Sequence, residues 1–383
     1  MPTRVHCRLV ALAFAALAAA GLLGACAGDG TETDGSTDRA VVVTASDTEC
    51  VPATTSMSAG VVTLRIENRG SRANELYLLR ADGSVVGERG VEPGASAELA
   101  VDLTPGPHTV RCKPGGAGDG ISVPVTVAVA AGATAARDPR LDAAVAAYRG
   151  YVAQQARDSL DGARRLATAI DAGDAARARS LYAASRVGWE RIEPVAESFG
   201  DLDPRIDVRE ADLEQGQRWS GWHALEKQLW TARTTRGTEP VAAQLVADLG
   251  ELVARVPTAE ITPTSMANGA KELLDEVAAT KVTGEEEAFS HTDLVDVQAN
   301  VTGARTVLTL LEPVLAEQDA ELRALLTTRF DALQKVLDRH RTGAGDTAFR
   351  TYTEVPAPQR RELSDAVDAV AEPLSRLTAA VVR

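Results

Sequence analysis

Near residue 138 the chain changes character, and that change limits it to two kinds of structure in series. Before it, short β-branched or apolar runs recur: Val41-Val42-Val43, Val61 to Ile66, Leu76 to Leu79 and Val123 to Val127. Turn residues separate them, as at Asn68-Arg69-Gly70, Asp82-Gly83, Glu92-Pro93-Gly94 and Thr104-Pro105-Gly106. Short strands at such spacing predict a β-sandwich over residues 40–130. After Asp138, alanine, leucine, glutamate and arginine dominate. Leu141, Val145, Tyr148 and Val152 fall on one helical stripe. Further helices are expected over about 174–198, 212–234, 239–256, 263–281, 290–317, 319–342 and 357–381. Breaks such as Asp171-Ala172-Gly173-Asp174 and Gly343-Ala344-Gly345 imply antiparallel neighbours, so residues 138–383 read as an all-α bundle. Residues 131–139 read as the link between the two regions.

The first residues read as a leader. Arg4 and Arg8 precede an apolar run from Leu9 to Leu23, the pattern of a secretory signal peptide over residues 1–25. The run is shorter than the about 20 residues a membrane span needs. It ends in Leu23-Gly24-Ala25-Cys26, which resembles a bacterial lipobox. The resemblance implies cleavage before Cys26 and lipid on its sulfur, holding the protein outside the plasma membrane. Residues 26–39 are rich in Gly, Asp, Thr and Ser and read as a flexible tether. With Cys7 removed and Cys26 lipidated, Cys50 and Cys112 remain. In an oxidising compartment the pair reads as a disulfide, with thiolate ligation of copper or iron as the alternative. The formal charge of −14 argues against a nucleic-acid partner.

The segment richest in chemistry is Trp219 to Trp230, where His223 and Glu226 stand three apart. On a helix such a pair shares a face and can ligate one cation. Iron(III) favours oxygen ligands, and imidazole suits iron, copper and zinc alike. Glu190, Glu193 and Glu197 repeat at i, i+3 and i+7, and Ile192 and Val195 give that stretch an apolar side. Asp201 to Glu210 forms an acidic loop before the His223 helix. Glu285-Glu286-Glu287 and His291-Thr292-Asp293 precede another helix, with Ser290 or Thr292 as its N-cap. Carboxylates packed this closely repel unless solvated, protonated or bridged by a cation.

Four of these motifs, in this order, resemble the EfeO family of bacterial iron-uptake components. They are Glu190 to Glu197, Asp201 to Glu210, Gly221 to Leu229 and Gly284 to Leu294. The resemblance spans nearly the whole chain beyond the leader. It implies a cupredoxin-like front domain and an imelysin-like helical domain with its metal site at His223 and Glu226. Glu190 is the first choice for a third ligand, followed by Asp207, Glu193 and one of Glu286 or Glu287. His291 and Asp293 match the family motif too, but the start of the following helix accounts for them. The implied role is capture of iron, ferric before copper or zinc, outside the membrane. The implied partners are a membrane permease and a haem-type peroxidase of the same uptake system.

The front domain departs from electron-transfer cupredoxins. It holds one histidine, His108, where a blue-copper site needs two. A second metal site built from Cys50, Cys112 and Glu75 or His108 stands as the alternative to the disulfide. Imelysin-like domains carry a peptidase label, but a zinc peptidase helix places two histidines around its glutamate. The helix at His223 offers one, and no Gly-x-Ser-x-Gly elbow occurs, so no enzyme activity is expected.

Overall fold

The computed structural model describes residues 40–116, 118–129, 138–213 and 216–382. The leader, Cys26, the tether up to Arg39 and most of the link, 130–137, lie outside the described residues.

Residues 41–128 form nine strands: β1 Val41–Ala45, β2 Cys50–Pro52, β3 Ser56–Ser58, β4 Gly60–Asn68, β5 Asn74–Arg80, β6 Val85–Val91, β7 Ser96–Leu103, β8 Gly106–Pro114 and β9 Ile121–Ala128. They build two sheets, ordered β2-β1-β4-β7 and β3-β9-β8-β5-β6. The pairs β1–β4 and β3–β9 are parallel, the others antiparallel. Alternation decides which side faces in: in β7, Leu99, Val101 and Leu103 are buried and their neighbours are not. These residues meet Val43, Leu64 and Ile66 of the same sheet and Leu76, Leu78, Val110 and Val125 of the other in one core. Cys50 on β2 is disulfide-bonded to Cys112 on β8, so a covalent link joins the two sheets.

The helical region comprises α1 Pro139–Asp171, α2 Ala175–Ile192, α3 Asp203–Ile206, α4 Gly221–Lys227, α5 Glu239–Arg255, α6 Pro263–Ala279, α7 Asp293–Gln318, α8 Ala320–Asp338, α9 Ala357–Leu374 and α10 Leu377–Val381. Asp138 caps α1 by accepting from Arg140 N at 2.8 Å, and Pro139 fills the first helical position. Leu141, Tyr148 and Val152 are buried as their stripe requires, with Val145 packed beside them. Asp174 caps α2 after the Ala172-Gly173 turn. Among the described residues no helix is long and apolar enough to cross a membrane.

Two expected helices are shorter than their sequence suggests. The one expected over 174–198 stops at Ile192, because Pro194 has no N–H to donate to the carbonyl of Glu190. That carbonyl instead accepts from Asn300 Nδ2 of α7 at 2.8 Å, and the chain runs on as a 3-10 segment, Glu193–Leu202. The helix expected over 212–234 begins only at Gly221 and ends in a wide π turn, Gln228–Ala232. The expected 357–381 helix divides into α9 and α10. The two regions meet where α6 lies against β6 and β7. There Asn268 Nδ2 donates to the Ala100 carbonyl at 2.7 Å, and Arg80 pairs with Glu260.

Candidate metal centre

One face of α2 carries Tyr182, Arg186, Trp189 and Glu190, all buried. Opposite, α7 presents Asp293, Asp296 and Asn300 at i, i+3 and i+7. Gly303 of α7 has no side chain to collide with the Arg191 carbonyl, which lets α7 approach the end of α2 this closely. The third element is α4. Gly221 opens it at φ +82°, and a Cβ there would overlap the Ile206 carbonyl oxygen. Ser220 Oγ donates to the Arg205 carbonyl at 2.8 Å, and Trp219 Nε1 to that of Val208 at 2.9 Å. The start of α4 is therefore clamped to the end of α3, which sets Asp207 beside His223. The loop between α6 and α7 delivers Glu286 and Glu287 from the other side.

His223 is 2% exposed, and neither ring nitrogen has a hydrogen-bond partner. Nε2 lies 3.3 Å from Asp207 Oδ1 and 3.6 Å from Glu286 Oε1; Nδ1 lies 3.6 Å from Glu226 Oε2 and 3.8 Å from Glu287 Oε1. Two triads thus share one imidazole: Asp207–His223–Glu286 and His223–Glu226–Glu287, each with its ligand atoms within 4.8 Å of one another. The carboxylates are held in place from behind. Glu226 Oε1 accepts from the N–H groups of Phe289 and Ser290 at 2.9 and 2.6 Å. Glu287 accepts from Ser290 Oγ at 2.6 Å and Tyr182 Oη at 3.1 Å. Asp207 Oδ2 accepts from Trp189 Nε1 at 2.7 Å.

Of the residues singled out in the sequence, His223, Glu226, Asp207, Glu286 and Glu287 come together. Glu190 and Glu193 do not join them. Glu190 pairs with Arg186 and accepts from Lys281 Nζ at 3.0 Å, while Glu193 accepts from Lys281 at 2.9 Å and from Asn300 Nδ2 at 2.6 Å. The first choice for a third ligand thus already has two cationic partners. His291 sits in the left-handed region, φ 57°, and its carbonyl accepts from Tyr352 N; Asp293 accepts from Glu287 N at 3.1 Å. The four residues considered for a second metal site do not converge on one point. With Cys50 and Cys112 joined as a disulfide, Glu75 accepts from Tyr77 Oη at 2.8 Å on the opposite face of β5 from Leu76, the residue paired with Cys112. His108 lies four residues along β8, its Nδ1 3.3 Å from the Gly106 carbonyl.

Sequence reasoning missed Arg186 and Lys281, both fully buried. Arg186 pairs with Glu190 and Asp207; its Nε is 2.9 Å from Glu287 and 3.4 Å from Asp296, and its Nη2 3.3 Å from Glu286. Even so, acids outnumber bases. Glu190, Glu193, Asp207, Glu226, Glu286, Glu287, Asp293 and Asp296 face Arg186, Lys281 and, at the rim, Arg209. The imbalance moves protons. Burial pushes the Glu287 and Asp296 carboxyls well above the usual range and Asp293 up to about 7. Burial and Arg186 act to lower the His223 pKa, but Asp207, Glu226 and Glu286 outweigh them and raise it well above the usual imidazole value. Burial opposes the charged form of Glu286 too, yet Lys281, His223 and Arg186 hold it well below the usual range. One imidazole among hard oxygen donors, with protons where a cation could stand, is a ligand set for iron, and one that zinc or copper also accepts.

Residues 144–377 match the family described as Peptidase_M75: Imelysin. The chain is 35% identical over 340 residues to "Iron uptake system component EfeO" of Escherichia coli strain K12, covering 88% of this chain and 90% of that one. The protein of the same name in Shigella flexneri matches equally. A crystal structure of a protein precursor from Parabacteroides distasonis ATCC 8503 superposes with a TM-score of 0.50 at 13% identity, over 65% of this chain and 97% of that one, a likeness of fold. By descent and by domain, then, the chain belongs to the EfeO family of iron uptake system components and carries an imelysin domain.

Proposed function

We propose that the protein captures ferric iron at His223 outside the cell membrane and hands it to a membrane permease. The observation that carries this reading is the buried imidazole whose two nitrogens, both without hydrogen-bond partners, face two pairs of carboxylates. Its ligands are His223, Glu226, Asp207, Glu286 and Glu287, with Glu190 and Glu193 held back by Arg186 and Lys281. Hard carboxylates favour Fe(III) over copper and zinc. Lipid on Cys26 anchors the chain, and a haem peroxidase serves the same system. The cupredoxin-like front domain is metal-free and stapled by Cys50–Cys112. A peptidase role lacks support: the EfeO relatives are named for iron uptake, and the centre offers one histidine.

Calorimetric titration of the chain from Ala27 onward with ferric nitrilotriacetate tests this. His223→Ala is expected to weaken binding roughly ten-fold or more, about 1.4 kcal/mol, with helical content intact. Ferric binding that is absent in the native chain, or indifferent to His223, refutes the assignment.

A further inference from the structure

A cleft of about 460 Å³ opens between the β region and the helical region, and its walls are acidic. Glu75 and Glu88 come from strands β5 and β6; Glu197 and Glu272 come from the 3-10 segment after α2 and from α6. Among the described residues, Arg209 is the one basic residue lining it. Glu88 and Glu197 are within hydrogen-bonding reach of one another, one carboxyl from each region. Two carboxyls so placed need a shared proton or a cation between them.

The floor of this cleft is already familiar. Asp207 and Glu286 line it, and they are the same two carboxylates that stand 3.3 and 3.6 Å from His223 Nε2. That nitrogen is buried without a hydrogen-bond partner and is aimed at the floor. Glu226 and Glu287, on the Nδ1 side, do not line the cleft. The two sides of the imidazole are therefore unequal: one meets the cleft, the other the interior of the bundle. A recess lined by one sign of charge between low-dielectric walls concentrates the opposite sign and speeds its capture.

We propose that this cleft is the loading route by which a hard multivalent cation reaches His223, with Glu88 and Glu197 as its outer, transient ligands. Carboxylates from both regions take the ion first, and Asp207 and Glu286 pass it to Nε2. The β region thereby acquires a part in capture that needs no metal site of its own. The proposal rests on His223 being the cargo centre.

The two claims separate in one experiment. The native chain from Ala27 onward is mixed with ferric nitrilotriacetate in a stopped-flow instrument. Loading is followed by quenching of tryptophan fluorescence, since Trp189 donates to Asp207 and Trp222 lies against Arg186. In the double variant Glu88→Gln, Glu197→Gln, loading is expected to slow roughly ten-fold, with the final quench and the equilibrium midpoint kept. A control, Asp365→Asn with Asp368→Asn, removes two exposed charges from α9 and should load at the native rate. Native-rate loading by the cleft variant, or equal slowing in the control, overturns the route while leaving the His223 centre standing. A native chain that shows no quench, or one that His223→Ala shows equally, removes the destination and the route with it.

Discussion

Replacing Arg186 by methionine isolates the electrostatics of the centre. The guanidinium is wholly buried and stands within 3.4 Å of Glu190, Asp207, Glu286, Glu287 and Asp296. Methionine keeps much of the volume and removes the charge. Breaking a buried pair from one side leaves its partner uncompensated, at about 3–5 kcal/mol. For a region of this size each kcal/mol lowers the melting temperature by about 2–4 °C, so a drop of roughly 6–20 °C is expected in metal-free protein at pH 7. Two further measurements bind the number to its cause. At pH 5, where orphaned carboxyls can take protons, part of the drop should be recovered. With saturating ferric nitrilotriacetate, the variant should gain more than the native chain, since an incoming cation supplies the lost charge. Melting within about 2 °C of native at pH 7 would show the carboxylates settling without a counter-charge, and the electrostatic account of the centre would fall.

The remaining predictions concern protons, the staple and the clamp. Burial raises Asp203 and Asp293 to about 7 from 3.8, and the surrounding carboxylates raise His223 well above 6.5. The folded chain therefore holds protons that the unfolded chain has lost, and metal-free stability should fall as pH rises from about 4 to 8. Glu286 and Asp207, held low by Lys281, His223 and Arg186, oppose that trend only below about pH 4. Melts of chelator-treated protein between pH 5 and 8 that stay flat or rise would contradict this. Cys50→Ser should lower stability by about 2–5 kcal/mol, read by urea unfolding, and leave copper titration unchanged; a loss of copper affinity would argue for a thiolate site instead. Gly221→Ala should displace α4 from the end of α3 and weaken ferric binding at least as much as His223→Ala, whereas native affinity would show that the α3–α4 clamp does not set the ligand geometry.

Much of this was legible in the chain because it depends on local pattern. The change near residue 138, the stripe of α1 and the pairing of His223 with Glu226 all follow from spacing along one element. β7 shows what was passed over: Leu99, Val101 and Leu103 alternate clearly, but charged Glu98 before them and Asp102 among them mask the run. The end of α2 was readable in Pro194, yet the carboxylate repeat across Glu190, Glu193 and Glu197 suggested one continuous face. That repeat also put Glu190 first among the ligand candidates, whereas the structure pairs it with Arg186 and Lys281. A charge at i, i+4, as in Arg186 and Glu190, reads as a solvated surface pair, and only tertiary packing shows it fully buried. One signal was available. Asp293, Asp296 and Asn300 mark a polar stripe among the apolar residues Leu294, Val295, Val297, Ala299 and Val301 at the start of α7, and polar residues buried in such a stretch need partners.

Arg186 and Lys281 have a consequence for the working cycle. A zinc finger collapses without its ion, because the metal supplies the energy of folding. Here the two fixed cations and a set of retained protons already answer part of the negative charge, so the empty form has a structure to return to. On the carrier reading, such a protein can surrender its load and remain a receptor for the next. On that same reading, the internal arginine and lysine would weaken the grip and, in exchange, make the carrier reusable.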